Sequence, residues 1–344
     1  MKIFIVGAGL IGKERIRALQ SLNQKYKSID LVAVIDPIFK KKSEIINGIK
    51  YDTFSSLKEA YVKFKNKIDW VFICSPHSET HHLAKLSLDN NSNIMVEKPL
   101  GTNIIEYNNI VKNVSFNKKI KVGFNYRFFK GVNKLIQDTL ERKFGDIISV
   151  NLILAHGNSP GMEKSWKLNP RYSGGGCLLD PGIHLIDIAM LLSKNSLKLK
   201  SYQDWRGFWN TGIEEEIFFL AKDSSNTIYN FNISLNRWRS EFKIQVNGTD
   251  GYGIVSGRGR SYGNQKYVTG KRWGWSESKT QSESEEVVVD NYAANDSFLV
   301  ETELILFKDD DNLESDLNNI KTANHLDNKN CLEFIDSFNL KIKI

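Results

Sequence analysis

The chain has 344 residues, 41% of them hydrophobic and 25% charged, a balance that excludes disordered, collagen-like and disulfide-scaffold classes and at this length predicts two cores rather than one. Lys and Arg outnumber Asp and Glu 47 to 40, for a formal charge of +7. The positive residues are scattered apart from Lys40–Lys42 and a stretch from Arg258 to Arg272, which argues against a nucleic-acid-binding domain and leaves anionic small molecules as partners. Three distant cysteines without CxxC, and no apolar run near the roughly 18 residues that span a bilayer, point to a soluble cytoplasmic protein with no metal and no membrane partner.

An apolar, β-branched run at Ile3–Val6 is followed by Gly7, Gly9 and Gly12, and Lys13–Leu22 has helical period, with Ile16, Leu19 and Leu22 on one face. Further strands are predicted at Leu31–Ile35, Trp70–Cys74, Asn93–Val96 and Lys119–Phe124, with helices at Ser55–Phe64, Thr80–Asp89 and Ile104–Val114 between them. Strands alternating with helices imply a parallel sheet covered on both faces. After about residue 145 the rhythm changes. Ile147–His156, Glu216–Lys222, Asn226–Leu235, Glu241–Asn247 and Gly251–Ser256 read as strands joined by polar turns, with helices near Asn133–Arg142 and Pro181–Leu192. The expectation is an α/β domain over residues 1–122, then an α+β domain over 123–344 with a large, mainly antiparallel open sheet. An open sheet face predicts a homo-oligomer, dimer or tetramer. Ser276–Glu286 reads as an acidic surface loop.

Gly7-Ala8-Gly9-Leu10-Ile11-Gly12 is a GxGxxG placed directly after a strand and opening a helix, and Asp36 closes the second strand. Glycines permit the tight turn and let the backbone approach a pyrophosphate, while the acid accepts bonds from a ribose diol. This is the doubly wound, Rossmann-type dinucleotide signature. A carboxylate at Asp36 repels a 2′-phosphate, so NAD is expected over NADP, although Lys40–Lys42 offer such a phosphate a countercharge. Glu97-Lys98-Pro99 ends a parallel strand, where such sheets bind ligands. There Lys98 could stabilise a developing alkoxide and Glu97 could orient it or meet the nicotinamide ribose; the alternative is a surface ion pair before a turn proline. In the glycine-rich Gly174–His184 segment, Asp180 and His184 are spaced to share a helical face. Asp180 before Pro181 suits a helix N-cap as well as an active-site acid, and His184 suits a packed histidine as well as a proton carrier for an alcohol–ketone conversion.

Together the N-terminal GAGLIG with Asp36, the Glu97-Lys98-Pro99 triplet and the GGGxxxDxGxH of Gly174–His184 resemble the Gfo/Idh/MocA oxidoreductase family over residues 1 to about 260. The resemblance implies a dehydrogenase or reductase acting on a sugar, sugar nucleotide or cyclitol. It implies Lys98, Asp180 and His184 around the reacting carbinol, with His184 as general acid/base. Besides Gly7, Gly9, Leu10, Ile11, Gly12 and Asp36, it implies cofactor contacts from Ser75, Pro76, His77, His81, Glu97, Lys98 and Trp166, and substrate contacts from Asn125 and Arg127. His77 stands where many relatives carry Asn. Gly157–Asp187 and Gly248-Thr249-Asp250-Gly251-Tyr252 look most like members serving surface-polysaccharide synthesis, which implies a nucleotide sugar, such as a UDP-N-acetylhexosamine or its uronate. Arg127, Arg171, Arg237 and Arg239 are candidates to meet its diphosphate. The rival readings are a free-sugar or inositol dehydrogenase and a catalytically silent NAD-binding sensor or scaffold. After about residue 300, Asp309–Asp311 and an asparagine-rich tail depart from the family pattern.

Overall fold

The computed structural model describes residues 1–65, 67–112, 114, 117–273, 285–289, 293–308 and 320–340, and they form two compact units. The first is Met1–Phe124, to which the chain returns from Phe298 on and over Thr322–Lys329. The expected division at 122/123 gave all the later chain to the second unit. The return has a physical cause in a buried ion pair between Arg15 and Glu301 and in backbone pairing of Val122 with Ala323.

Elements of the first unit are β1 (Lys2–Val6), α1 (Leu10–Tyr26), β2 (Asp30–Ile35), β3 (Ser43–Ile46), β4 (Ile49–Phe54), α2 (Leu57–Phe64), β5 (Trp70–Ile73), α3 (His77–Asp89), β6 (Asn93–Glu97), α4 (Ile104–Val111) and β7 (Ile120–Gly123). They build a seven-stranded sheet in the order β3-β4-β2-β1-β5-β6-β7, parallel except where β3 meets β4. Strands β1, β5 and β6 are buried almost throughout, as sheets covered on both faces require. Because β1 pairs with both β2 and β5, the strand order reverses at β1, and the loop after it lies at the switch point where such sheets bind ligands. The β3–β4 hairpin was not anticipated. Its turn is Asn47-Gly48, both at positive φ, a strong short-range hairpin signal.

Elements assigned after Phe124 are α5 (Lys130–Leu140), β8 (Ile147–Ala155), α6 (Pro170–Ser173), α7 (Ile183–Leu192), β9 (Lys198–Trp205), β10 (Glu216–Lys222), β11 (Ile228–Ser234), β12 (Glu241–Gly248), β13 (Gly251–Ser256), β14 (Gln265–Lys271), β15 (Glu285–Val289), α8 (Ala293–Phe307) and α9 (His325–Asp336). The strands form one eight-stranded sheet, β15-β14-β13-β12-β8-β11-β10-β9. It is antiparallel apart from the β8–β11 pair, which agrees with the expected α+β domain. Strand β11 alternates as its sequence predicts, with Tyr229, Phe231 and Ile233 buried and Ile228 and Asn230 exposed. Helix α7 is buried from Ile183 to Met190, and a Cβ on Gly182 would lie 2.6 Å from the Leu178 carbonyl oxygen and 2.8 Å from that of Cys177, so only glycine admits this approach. Of the expected loop at Ser276–Glu286, residues 276–284 lie outside the described residues, as do Asp309–Asp311; residues 285 and 286 open β15. Among the described residues no helix is long and apolar enough to cross a membrane.

Candidate active site

In the first unit the three motif glycines answer to different constraints. A Cβ on Gly7, at φ +98°, would lie 2.6 Å from the Cys74 carbonyl, and one on Gly12 would lie 1.9 Å from the Gly7 carbonyl. Both are glycine because backbone packs on them. A Cβ on Gly9 would meet nothing within 4 Å, so what Gly9 preserves is open space in front of α1. That helix has no acidic residue in its first turn and no side-chain cap, so its first amides and positive dipole end are offered to an anion. Leu10 is exposed and Ile11 half-buried. The Asp36 carboxylate sits against the loop, accepting from the Ala8 amide at 2.8 Å and from the Ile38 amide at 3.1 Å.

Beside this loop, the segment leading into α3 holds buried polar atoms with no hydrogen-bond partner among the described residues: Ser75 Oγ, Ser78 Oγ and His81 Nε2. Pro76 precedes the helix and His77 is buried at its first position. Unmet buried polar groups are rare in folded proteins. Together with the bare helix end they fit a ligand rich in both acceptors and hydroxyls, as a dinucleotide is. Glu97 is tied to Arg15, whose Nε donates to it at 2.8 Å. Arg15 is fully buried, pairs also with Glu301 at 2.5 Å, donates to Thr302 Oγ1 at 3.1 Å and lies 4.7 Å from the Phe298 ring centroid. Arg15 and Glu301 were missed in the sequence. The available signal was a charge at Arg15 inside the apolar stripe Gly12, Ile16, Leu19 and Leu22. Lys98 is half-buried, and its bond to Pro99 is cis.

In the second unit His184, second residue of α7, is 5% exposed and its ring stacks on Tyr126, with centroids 3.8 Å apart and planes within 4°. Burial pushes the Tyr126 phenol up to about 12, against the opposing effect of Arg258. The Arg258 guanidinium lies 5.2 Å from the Tyr126 centroid and 4.0 Å from that of Tyr262, and His156, next after β8, meets Tyr262 edge-on at 6.5 Å. The run of glycines before α7 is anchored by Glu214. Its carboxylate accepts from the Gly176 and Leu178 amides at 2.9 and 3.3 Å, and a Cβ on Gly176 would lie 2.0 Å from its carbonyl oxygen. The N-cap of α7 is Gly182 and the helix opens at Ile183, so Asp180 is not the helix cap and does not share a helical face with His184. A cis bond joins Asp180 to Pro181, and the partly buried Asp180 lies 3.3 Å from Lys167 Nζ.

Burial, then the positive charges of Arg258 and Lys167, lower the His156 pKa to about 4, with Asp180 opposing them. All three disfavouring influences act against the imidazolium, so His156 is neutral at physiological pH. The expected result in an NMR titration of its ring is no inflection near the ordinary histidine value of about 6.5; an inflection there would contradict this arrangement.

Two of the arginines considered for a diphosphate are engaged inside the unit. Arg127 is buried and paired with Asp187, through Nε at 2.7 Å and through Nη2, while Nη1 donates to the Lys321 carbonyl at 3.1 Å. Asp187 lies in the interior of α7, where a buried carboxylate demands a cation; Arg127 is therefore corrected from phosphate ligand to internal partner. Arg237, partly exposed, reaches Glu216 at 3.1 Å and Glu241 at 3.4 Å. Arg171 and Arg239 are exposed. Asn125 is buried and donates to Ser297 Oγ at 2.9 Å, and Trp166 is half-buried with Lys167 Nζ 5.8 Å from its ring. A groove of about 700 Å³ lined by Met190, Leu199, Tyr202 and Phe334 contains none of these groups.

Residues 1–126 match the family model described as the oxidoreductase family, NAD-binding Rossmann fold, and residues 131–253 match the GFO/IDH/MocA C-terminal domain. The chain belongs to the Gfo/Idh/MocA oxidoreductase family. It is 25% identical over 218 residues to a glucose-6-phosphate 3-dehydrogenase of Bacillus subtilis (strain 168), a match covering 62% of this chain and 59% of that protein. The match thus spans about three-fifths of that relative's length. A levoglucosan dehydrogenase in complex with NADH shares the fold at TM-score 0.78 and 15% identity, over 98% of this chain and 95% of that one. A 3-ketoreductase from Actinomadura kijaniata, in complex with NADP and TDP-benzene, does so at TM-score 0.75 and 13% identity, over 98% and 96%. In this Gfo/Idh/MocA chain the glycine loop and the α3 entry therefore belong to an NAD-binding Rossmann domain. Sequence reasoning did not assign Tyr126, which stacks on His184, nor Arg258, Tyr262 and His156, which follow one another from the Tyr126 ring outward. Arg258 left one trace in the sequence, as part of a compact basic stretch.

Proposed function

We propose that the chain is an NAD-dependent oxidoreductase that moves a hydride between nicotinamide and a ring carbon of a sugar. A nucleotide sugar of surface-polysaccharide synthesis, such as a UDP-N-acetylhexosamine or its uronate, is the leading substrate, and a free sugar or inositol is the alternative. The carrying observation is His184, buried and stacked on Tyr126 in the first turn of α7, just after the glycine-rich segment, in a chain whose other domain binds NAD. Bound nicotinamide supplies the hydride acceptor or donor. In the oxidative direction a ring nitrogen of His184 takes the hydroxyl proton as the carbinol becomes a carbonyl, and gives it back in reduction. The stacked Tyr126 ring fixes the imidazole plane. Lys98 contributes the positive charge that lowers the cost of alkoxide character at the reacting oxygen, and Asp180 completes the polar set. Gly7, Gly9, Leu10, Ile11 and Gly12 form the pyrophosphate cradle, and Ser75, Pro76, His77, His81, Glu97 and Trp166 complete the cofactor's surroundings.

The nucleotide-sugar choice is supported by the TDP compound bound to the Actinomadura relative. The phosphosugar named for the Bacillus relative supports a smaller anionic sugar equally well. Exposed Trp205, Phe218, Leu220 and Ile228, on the face of the sheet opposite Tyr229 and Phe231, support a homo-oligomer formed through that face. A cytoplasmic location is part of the same proposal.

Reduced nicotinamide is expected to form when the protein, supplied with NAD, meets a panel of sugars, sugar phosphates and nucleotide sugars. Binding of NADH without turnover on any of them would instead support a silent sensor or scaffold. Asp36 is expected to make NAD bind more tightly than NADP, and Asp36→Ser to narrow that preference; equal affinities in the unaltered protein would show that Lys40–Lys42 outweigh the carboxylate.

A further inference from the structure

Arg258, just beyond β13, differs from the buried arginines in having no acid. Arg15 and Arg127 are each matched by carboxylates. Arg258 has no ion pair among the described residues, its Nε is buried with no hydrogen-bond partner, and its guanidinium is held by the rings of Tyr262 and Tyr126. Aromatic faces offset only part of what it costs to withdraw such a cation from water. Among the described residues no carboxylate pairs with it. Lys167 and Asp180 form an ion pair with each other at 3.3 Å, while His156 and Tyr126 are held in their neutral forms. One positive charge is therefore left over, against the same tyrosine ring on which His184 stacks.

We propose that Arg258 is the specificity-determining residue for an anionic substrate, its guanidinium receiving phosphate oxygens of a phosphorylated sugar, either a monoester or the diphosphate of a sugar nucleotide. The assignment rests on the proposed function, since it supposes that the substrate's reacting carbon lies at His184. A guanidinium presents paired donors that match phosphate oxygens and stays charged at every working pH. Two rings hold it in place before the ligand arrives, so little ordering remains to be done on binding. Phosphate is favoured over carboxylate because a monoester carries about −1.5 to −2 charge near neutrality, and the neutral imidazole of His156, which meets the same Tyr262 ring that holds Arg258, offers a further donor. This also relocates anion recognition away from Arg127 and Arg237, which are internally paired.

The test compares thermal protection of the protein, with and without saturating NADH, by glucose 6-phosphate, UDP-N-acetylglucosamine, glucuronate and glucose. At least one phosphate-bearing probe is expected to raise the melting temperature where glucose at the same concentration does not, and the effective probe tells a monoester from a diphosphate. Arg258→Gln is expected to weaken that probe by roughly tenfold or more while the shift produced by NADH is retained, and Arg258→Lys to recover part of the loss. Equal protection by glucose and the phosphates, protection by glucuronate alone, or undiminished phosphate binding in Arg258→Gln would overturn the proposal. If Arg258→Gln does not fold, the comparison of probes on the unaltered protein still decides it. Absence of any shift with NADH would count against the proposed function, and the arms without NADH would still report on Arg258.

Discussion

Replacing His184 by Ala lowers turnover by on the order of a hundredfold or more, while NAD affinity stays within a few fold. Oxidising a carbinol leaves an oxygen whose proton must depart, and a side chain that titrates near neutrality is the efficient carrier. The residues that fit the dinucleotide, from Gly7 to Gly12 with Asp36 and the α3 entry, belong to the other unit, so the cofactor should bind the variant as before. The variant also loses the stack on Tyr126, about 0.5–1.5 kcal/mol of aromatic contact, which a melting curve will register without touching the rate argument. Lys98→Ala should lower turnover comparably, and the double variant should lose less than the product of the single losses, as groups acting on one transition state do. Near-normal turnover in His184→Ala would remove the proposed acid/base.

Arg15→Met destabilises the protein by about 3–5 kcal/mol, because it withdraws the cation from two carboxylates in the interior of the first unit. The Arg15 side chain is completely buried, Glu301 is equally so, and Glu97 is 14% exposed. Burial alone would lower the guanidinium's pKa, but Glu97 and Glu301 more than reverse this and hold it above its ordinary value. The carboxylates are stabilised reciprocally by the same cation. Methionine keeps most of the volume, so packing loss is minor and the measured change reports the charges. Denaturant unfolding gives the number, and Glu301→Gln in the Arg15→Met background should recover part of it by removing one stranded charge. A loss under about 1 kcal/mol, the scale of an exposed pair, would mean that water reaches this cluster.

The parallel sheet was legible because each of its central strands is buried on both faces and reads as a continuous apolar run, ending in chemistry-bearing residues such as Asp36 and Glu97. Strands β9 and β14 were not, since their compositions, Lys198–Trp205 and Gln265–Lys271, mix lysines and polar residues at sheet positions that tolerate them. The return of the C-terminal chain to the first unit was invisible for a related reason. Its anchors include the ion pair between Arg15 and Glu301 and the backbone pairing of Val122 with Ala323, and no local pattern couples residues so far apart. At the candidate site, spacing singled out the glycine loop, Asp180 and His184, but misjudged how the last two are held. Asp180-Pro181 has the composition of a helix start, yet the cap falls at Gly182, whose amide is held by the Cys177 carbonyl at 2.8 Å. Arg127 and Arg237 looked like ligands because a sequence does not display the carboxylates that neutralise them. Arg258 left no trace beyond its place in a basic stretch, and what sets it apart is that no carboxylate among the described residues pairs with it.

The most direct test of the central claim is the pH dependence of kcat in the unaltered protein and in His184→Ala, at saturating NAD and with whichever sugar the panel identifies. The account predicts that the unaltered protein loses rate as pH falls through an ionisation near neutrality, where a protonated base cannot accept the hydroxyl proton, and that His184→Ala is slow and lacks this ionisation. The same near-neutral ionisation in both proteins would contradict it, since the proton would then be carried by another group.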